Sequence, residues 1–373
     1  MNEGRREQRA DVLLPSETRL LRAAGLADRE SALAAWAAFR RDVPEGQESL
    51  VEKRLLPFVC RNLRRVGQLK DEYLTRAYAN SLGSNGRLLS EAGSALHALR
   101  EASIPTMVLK GGALLVAHYR DLGARPMSDV DILVPYARIE DALDLLERLG
   151  WQGDQSRAWL KTEMHASPLM SPGGTGVDLH RHVTYEARFS GADDLFFESS
   201  VPWEVQGAQT RVMSAGAQLL HSVVHGLRWS IAPSSIWLLD AVTVVRGGGV
   251  HVEETLLLAR RLRLEAALDT GLELVRATFG DEPALSALTQ GLNARRLSTM
   301  EKLEQRFRVR PPGGFAGALP NLVFAFQRSH PTGQPDWSGF PPFLREAWQL
   351  APNAPLLPLL FRKLFRWRAR AGS

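Results

Sequence analysis

The spacing of apolar residues over the first hundred positions follows the period of an α-helix. The stretch 87–100 is the most regular, because its apolar residues recur at helical intervals and so lie along one stripe. These residues are Leu88, Ala92, Leu96 and Leu99. The tripeptide Ser-Ile-Pro at 103–105 then ends the helical pattern. The sequence therefore predicts an N-terminal helical segment over residues 1–100.

Helical spacing returns after Ser214 and continues towards the C-terminus. The pattern predicts a pair of helices over 218–229 and 236–245, followed by a long helical stretch over 253–279. Leu256, Arg260, Leu264 and Leu268 are spaced four apart in that stretch. We therefore expect a C-terminal helical domain over residues 213–373.

Between the two helical parts lie short apolar runs of strand length, each of which delivers polar residues near its end. The runs are 107–109, 129–134 and 177–180, and the glycine-rich loop 171–176 predicts a hairpin that leads into the third run. Together they predict a small mixed sheet with helices in residues 101–212. The fold class is therefore α+β, with a sheet-containing core flanked by N- and C-terminal helical segments.

The second and third runs carry acidic residues on one face of the predicted strands. Side chains two positions apart on a strand point the same way, so Asp129 shares a face with Asp131, and Asp178 shares one with His180. Carboxylates that converge on one face repel one another unless a cation neutralises them. Oxygen ligands of this kind suit Mg²⁺ (or Mn²⁺), and such an ion commonly acts on a phosphate-bearing substrate.

The first run ends in Lys110, Gly111 and Gly112, after which a helical pattern resumes. A strand, a glycine turn and a helix start favour an anion, because backbone N–H groups point outward and the helix dipole is positive there. A lone pair of acids at a strand end is more often a turn or a solvated edge. The glycine turn before the pair and the third acid after it favour function in this chain.

Net charge and composition narrow the range of functions. The chain has 373 residues with 46 basic and 41 acidic side chains, a formal net charge of +5. Five basic residues of the last segment equal the whole excess, which argues against a global nucleic-acid-binding surface. They are Arg362, Lys363, Arg366, Arg368 and Arg370. One cysteine, Cys60, excludes an internal disulfide, and no stretch is apolar enough to span a bilayer, so we expect a cytoplasmic protein.

The basic tail also carries Phe361, Phe365 and Trp367. Two interpretations stay open for it. The tail docks its aromatic side chains into the body with the arginines in water, or it lies on an anionic surface, either a membrane or nucleic acid. Docking is the favoured interpretation, because amphipathic segments of this kind more often complete a fold.

Three segments carry a resemblance to a known family: LKGGALL at 109–115, ARPMSDVDILV at 124–134 and VDLHRHV at 177–183. They resemble the nucleotidyltransferase superfamily with the polymerase-beta-like core, and more closely a bacterial family of uncharacterised nucleotidyltransferases. The resemblance implies a transferase that uses divalent metal ions. It also implies that Asp129 and Asp131 bind both ions, and that Asp178 binds the ion on the acceptor side and helps to deprotonate the acceptor.

The same resemblance implies a set of nucleotide-binding residues. Gly111, Gly112 and Ser128 would bind the β- and γ-phosphates. Lys110 and Arg125 would neutralise the charge that develops on pyrophosphate. The implied substrate is a nucleoside triphosphate, with ATP favoured, and the implied reaction moves its monophosphate to a hydroxyl or phosphate of an unknown acceptor, which is a small molecule, a peptide or a protein.

Two other functions stay open at this stage. One is a non-catalytic nucleotide-binding or toxin–antitoxin-type regulator on the same fold, although the presence of all three acids argues against a dead enzyme. The other is a nucleic-acid-binding protein, which the local origin of the positive charge argues against.

Three histidines are candidates for the acceptor side of the cleft. His180 lies on the face of Asp178 and would either orient the acceptor or hydrogen-bond the acids. His221 and His225 are four apart on a predicted helix, a spacing that can bind zinc. No further zinc ligand is evident near them, so a packed or cleft-facing pair is the favoured interpretation.

Overall fold

The computed structural model describes most residues of the chain. They are 14–67, 71–155, 157, 160, 164–228, 235–293, 299–309, 315–330, 335–348, 350–351 and 353–359. The basic tail, with Phe361, Phe365, Trp367 and the five basic residues from Arg362 to Arg370, lies outside them.

Four helices precede the sheet. They are α1 (Pro15–Gly25), α2 (Arg29–Asp42), α3 (Leu50–Arg65) and α4 (Glu72–Glu101). The start of α3 is fixed by a capping box, in which Ser49 accepts from the Glu52 N–H and the Glu52 carboxylate accepts from the Ser49 N–H. The predicted helix at 87–100 is confirmed as the second half of α4, which buries Leu88, Ala92, Leu96 and Leu99.

The central region alternates strands and short helices. Its strands are β1 (Met107–Val108), β2 (Asp129–Leu133), β3 (Ala166–Met170), β4 (Gly176–His180), β5 (Ser200–Val205) and β6 (Ala208–Met213). Its helices are α5 (Lys110–Leu114), which continues as one π-helical turn over Leu115–Tyr119, then α6 (Ile139–Arg148) and α7 (Ala192–Glu198).

The six strands form one mixed sheet in the order β3-β4-β2-β1-β6-β5. The central pair β2 and β4 is parallel, β1 pairs antiparallel with β2 and parallel with β6, and the hairpins β3–β4 and β5–β6 form the two edges. This order places the two acid-bearing strands side by side near the middle of the sheet.

The remaining helices follow the sheet. They are α8 (Ala215–Gly226), α9 (Ile236–Gly247), α10 (Val252–Arg261), α11 (Glu265–Phe279), α12 (Pro283–Asn293), α13 (Thr299–Val309), α14 (Phe315–Arg328) and α15 (Phe340–Ala347). One continuous hydrophobic core joins the helices on both sides of the sheet from α1 to α12, and a smaller cluster of Ala325, Phe326 and Phe343 links α14 to α15.

The predicted α+β architecture, a mixed sheet with helical segments before and after it, is confirmed, as is the hairpin through 171–176. The helical stretch predicted over 253–279 is confirmed, and it consists of two helices. The first helix ends at Arg261 and the second begins at Glu265, because Arg263 between them adopts a left-handed backbone with φ of 57°. No helix in the part of the chain that the structure describes is both long and apolar enough to cross a membrane.

Candidate metal and nucleotide site

The register of the parallel pair β2 and β4 brings two acids from distant parts of the chain together. Asp131 lies directly beside Asp178 in that register, and Leu133 lies beside His180. Val130 and Ile132 point to the other face and are fully buried in the core. The alternation of apolar and acidic residues in both strands therefore places the carboxylates on one face, as their spacing predicts.

Asp131 is the centre of a buried hydrogen-bonded cluster. Its Oδ1 accepts from the Lys110 ammonium and lies 2.9 Å from His180 Nε2. The Lys110 Nζ lies 3.4 Å from the same ring nitrogen. Asp131 is 3% exposed and His180 is fully buried. Lys110 reaches them from the junction of β1 and α5, where its backbone adopts a left-handed conformation with φ of 43°.

Asp131, Asp178 and His180 form a group that could hold a metal ion, because their ligand atoms all lie within 4.8 Å of one another. Two carboxylates and an imidazole nitrogen are donors that divalent ions accept, so the residues present fit a resident metal ion. Asp129 does not belong to this group, although the sequence predicts it as a ligand together with Asp131 and Asp178.

The close approach of the three carboxylates changes their pKa values. Burial and then the charges of Asp131 and Asp178 raise the pKa of Asp129 to about 6. Burial and then Asp131 raise the pKa of Asp178. Burial also opposes the charge on Asp131, but Lys110 and His180 outweigh it and hold its pKa well below the ordinary range. The group is electrostatically short of positive charge, which a divalent ion would supply.

A cavity of about 480 Å³ opens beside this group, between the sheet and helices α3, α8 and α9. Eight of the residues singled out in the sequence line it: Lys110, Gly111, Arg125, Ser128, Asp129, Asp131, His221 and His225. Gly112, Asp178 and His180 do not line it. The acids therefore form one end of a cleft in which cationic and acidic side chains meet.

Arg125 makes a bidentate ion pair with Asp240 of α9. Its Nε lies 2.8 Å from Oδ1 and its Nη2 lies 2.9 Å from Oδ2, and the Tyr119 hydroxyl donates to the same Oδ1 at 2.9 Å. The remaining nitrogen, Nη1, lies so close to Gly111 that no Cβ would fit there. Position 111 is therefore a glycine because the Arg125 guanidinium leaves no room for a side chain there.

Gly112 has a different neighbourhood. A Cβ at this position would lie 2.9 Å from a methyl of Val108 and 3.2 Å from a methyl of Val130. The second glycine thus allows α5 to pack closely on β1 and β2. The phosphate-binding role predicted for Gly112 stays a prediction.

The loop that carries Arg125 is held by the N-terminal helices. The fully buried Asn85 of α4 donates to the carbonyls of Leu122 at 2.6 Å and Arg125 at 2.8 Å, and it accepts from the Met127 N–H at 3.1 Å. One side chain therefore binds both ends of the segment that leads into β2.

Five polar or aromatic residues that line the cavity were not predicted from the sequence: Arg54, Ser222, Arg228, Trp237 and Asp240. The sequence does indicate a special role for Asp240, because it is the one charged residue in the apolar run 236–245 and a buried charge needs a partner. Arg228 pairs with Glu186 at 2.9 Å. Arg54 is exposed, makes no hydrogen bond or ion pair within the described part of the chain, and had no signal in the sequence.

The two cleft histidines differ in environment. His221 is 3% exposed, and its Nε2 has no hydrogen-bond partner among the described residues. His225 is exposed at the cavity. Their rings are 6.1 Å apart in an edge-to-face arrangement. The prediction that they face a cleft is consistent with this geometry, and no acid or cysteine joins them in a metal-binding group within the described residues.

A mixed sheet that presents acids on neighbouring strands, next to a cleft with cationic walls, is typical of proteins that bind divalent ions and phosphate-bearing substrates. The comparison with known families agrees and is more specific. The family of uncharacterised nucleotidyltransferases matches residues 42–280, and the chain belongs to that family. The protein is thus a transferase of the nucleotidyltransferase type, a class that typically uses a nucleoside triphosphate and divalent ions. Among curated proteins, none matches the chain.

The matched region begins at residue 42, well before the sheet. It includes helices α3 and α4 and ends just beyond α11. The helices that supply Arg54 and Asn85 are therefore part of the family's common unit. The division of the chain at 101 and 213 stays a prediction.

Proposed function

We propose that the protein transfers a nucleoside monophosphate, with AMP favoured, from a nucleoside triphosphate to a hydroxyl or phosphate of an acceptor. The proposal depends mainly on one observation: Asp131 and Asp178 lie side by side on parallel strands, next to a cavity lined by basic residues. The proposed cofactor is Mg²⁺ or Mn²⁺.

In the proposed reaction the acceptor oxygen attacks the α-phosphorus and forms a new P–O bond. The bond between the α-phosphorus and the bridging oxygen to the β-phosphate breaks, and its electron pair leaves with pyrophosphate. The acceptor proton passes to Asp178 or to water. Bound divalent ions, two in the mechanism proposed, would stabilise the attacking and leaving oxygens. Asp129, Asp131 and Asp178 are the proposed ligands.

The cations of the cleft have separate proposed roles. Arg54 has its guanidinium available on the α3 side of the cavity, and Lys110 stands next to the acids. Both are placed to neutralise charge on the triphosphate. Arg125 is already paired with Asp240, so its proposed contact is limited to Nη1 beside Gly111. Ser128 is exposed at the cavity and is proposed to donate to a phosphate oxygen.

The acceptor is proposed to enter from the side of α8. That helix brings His221, His225 and the following Arg228 to the cavity wall, and Trp237 at the start of α9 packs against Gly226 of the same helix. An imidazole pair, a guanidinium and an indole suit a polar acceptor with an anionic or planar part. Their position on one wall leaves the other wall for the nucleotide.

Calorimetric titration of ATP, GTP, CTP and UTP with Mg²⁺ into the full chain tests the proposal. We expect one triphosphate to bind the wild type, and Asp129→Asn to weaken that binding. Asp141→Asn on the exposed face of α6 is the matched control and should bind as the wild type does. Failure of every triphosphate to bind would rule out the proposed function.

Release of pyrophosphate is the second measurement. We expect the wild type to release it when an acceptor is present, and Asp131→Asn to lose this activity by orders of magnitude. Tight binding without release, for every acceptor class tested, would favour the non-catalytic nucleotide-binding regulator over the enzyme.

A further inference from the structure

The hydrogen bonds of His180 fix which of its ring nitrogens carries a proton. Its Nδ1 lies 3.1 Å from the carbonyl oxygen of His182, and a carbonyl oxygen only accepts. Nδ1 therefore carries hydrogen, and Nε2 is the nitrogen that faces Asp131. A histidine that donates one ring N–H to a backbone carbonyl and turns the other nitrogen towards acidic ligands has the arrangement common to metal-binding histidines.

A positive charge already lies beside these two atoms. The Lys110 ammonium contacts Asp131 Oδ1 and lies 3.4 Å from His180 Nε2, so one cation serves both atoms. Lys110 extends from a left-handed backbone position and keeps 20% of its side chain exposed on the cavity side. The ammonium therefore has a route out of the group.

We infer that His180 binds the divalent ion directly through Nε2, together with Asp131 and Asp178, and that the Lys110 ammonium occupies this position until the ion arrives. The inference rests on the proposed function, because it assigns an unrecognised ligand in the same site. On ion binding, Lys110 moves into the cavity, where the triphosphate is proposed to lie.

A nitrogen ligand changes which ion the site prefers. Mg²⁺ binds oxygen ligands almost exclusively, whereas first-row transition ions accept imidazole. A group of two carboxylates and one imidazole therefore favours Mn²⁺ over Mg²⁺. Ligand atoms within 4.8 Å of one another need only a small closure to surround one ion.

A purely structural role for His180 makes different predictions. If Nε2 carries a proton, it donates to Asp131 and only orients that carboxylate. Mn²⁺ bound to the acids would then show no coordinated nitrogen, and loss of the imidazole would barely alter the preference between Mn²⁺ and Mg²⁺.

Pulsed electron paramagnetic resonance of the full chain with Mn²⁺ alone separates these roles. We expect a ¹⁴N coupling from a coordinated imidazole, which changes to a ¹⁵N coupling when the histidines are labelled with ¹⁵N. His180→Asn should abolish the coupling, and His221→Asn, which alters a cleft histidine outside the group, should retain it. Absence of the coupling in the labelled and unlabelled wild type would overturn the inference without any variant, and so would its survival in His180→Asn.

Calorimetry with Mn²⁺ and Mg²⁺ in the absence of nucleotide supplies the affinities. We expect His180→Asn to weaken Mn²⁺ binding by about 10- to 100-fold and to change Mg²⁺ binding much less. Lys110→Met should bind Mn²⁺ more tightly than the wild type, because the competing ammonium is gone. Unchanged or weaker binding in Lys110→Met would overturn the exchange of lysine for metal.

These measurements do not depend on turnover. If triphosphate binds and pyrophosphate is released but no nitrogen couples to Mn²⁺, the inference fails and the proposed function stands. If nitrogen couples to Mn²⁺ but no triphosphate binds, the metal site stands and the proposed function fails.

Discussion

Arg125 and Asp240 face each other across the cleft and form a two-point ion pair, with 2.8 Å between Nε and Oδ1 and 2.9 Å between Nη2 and Oδ2. The arginine belongs to the loop before β2, and the aspartate belongs to α9, more than a hundred residues later. The pair therefore joins the sheet to the helices that follow it, at the level of the acids.

Asp240→Asn should destabilise the protein strongly. Removal of one partner leaves the Arg125 charge buried without its counterion, which typically costs about 3–5 kcal/mol. Urea unfolding measures the change in the free energy of unfolding. The control is Asp141→Asn, which breaks the exposed pair with Arg138 and should cost at most about 1 kcal/mol. Equal effects of the two variants would contradict the structural role of the cleft pair.

Gly111→Ala should lower both stability and nucleotide affinity. A methyl group there overlaps Arg125 Nη1 and approaches Met127 to 3.1 Å, and the guanidinium cannot yield because Asp240 holds it. The control is Gly83→Ala in α4, where no atom lies within 4 Å of the new methyl. In that helix alanine should stabilise by roughly 0.5–1 kcal/mol. Thermal unfolding should therefore shift in opposite directions for the two variants.

Arg54→Ala should weaken triphosphate binding and leave folding intact. The residue is exposed at the cavity and makes no hydrogen bond or ion pair within the described residues, so its loss should leave the packing unchanged and remove a contact to the substrate. A charge-assisted hydrogen bond is worth about 1.5–3 kcal/mol, so the KM should rise by about 10- to 100-fold with little change in kcat. Its neighbour Lys53 is exposed but does not line the cavity, and Lys53→Ala should leave the KM unaltered.

His221 should make the free energy of unfolding depend on pH in the acidic range. Burial, followed by the charge of Lys110, lowers the pKa of His221 from 6.5 to about 3. The unfolded chain therefore takes up a proton below about pH 6.5 that the folded chain refuses until about pH 3. Stability from this residue is complete above pH 6.5 and falls by about 1.4 kcal/mol per pH unit below it.

His221→Gln should remove that slope when unfolding free energies are compared between pH 6.5 and 4.5. The groups that interact with the ring, Lys110, Asp131, His180 and Arg228, are the same in both proteins. Burial and then the charges of Lys110 and Arg228 still lower the pKa of the neighbouring His225 in the variant, which loses only the smaller contribution of His221. His251→Gln at an exposed position is the control and should retain the wild-type slope. If His221→Gln and the wild type lose stability in parallel, the buried imidazole is not responsible.

The acid-bearing strands could be predicted because their chemistry is local. Alternation of apolar and acidic residues places Asp129 and Asp131 on one face whatever the neighbouring strand is, and the glycine-rich loop 171–176 identifies a hairpin. The pairing of Asp131 with Asp178 follows from the order of the strands, which local spacing does not contain. The family resemblance implied only that the third acid joins the other two.

The edge hairpin β5–β6 is absent from the sequence-based prediction. A partial signal was present, since Val201, Trp203 and Val205 occupy alternate positions before the turn at Gln206 and Gly207, although Pro202 lies between the first two. The break at Arg263 had no such signal, because the helical spacing of leucines continues through it. Arg263 is held there by tertiary contacts, and its Nη2 donates to the carbonyls of Arg328 at 3.1 Å and His330 at 2.7 Å.

The residues that line the cleft also could not be predicted from local sequence spacing. Arg54, Trp237 and Asp240 come from helices whose apolar stripes predict packing but do not indicate which polar residue faces a ligand. Lys110 was assigned to phosphate from its place in the glycine turn, whereas in the structure its ammonium contacts Asp131. Which partner a flexible side chain takes depends on every charge within reach, and sequence spacing does not specify that set.

The amide of Asn85 gives the N-terminal helices a part in the chemistry of the cleft. Three hydrogen bonds from one buried side chain of α4 hold the backbone from Leu122 to Met127, and Arg125 projects from that backbone. A shortened protein that starts at residue 101 would expose this loop to solvent and release the guanidinium from its alignment. A protein prepared for enzymology or crystallisation should therefore begin upstream of α3, because the sheet without α4 lacks the side chain that holds this loop.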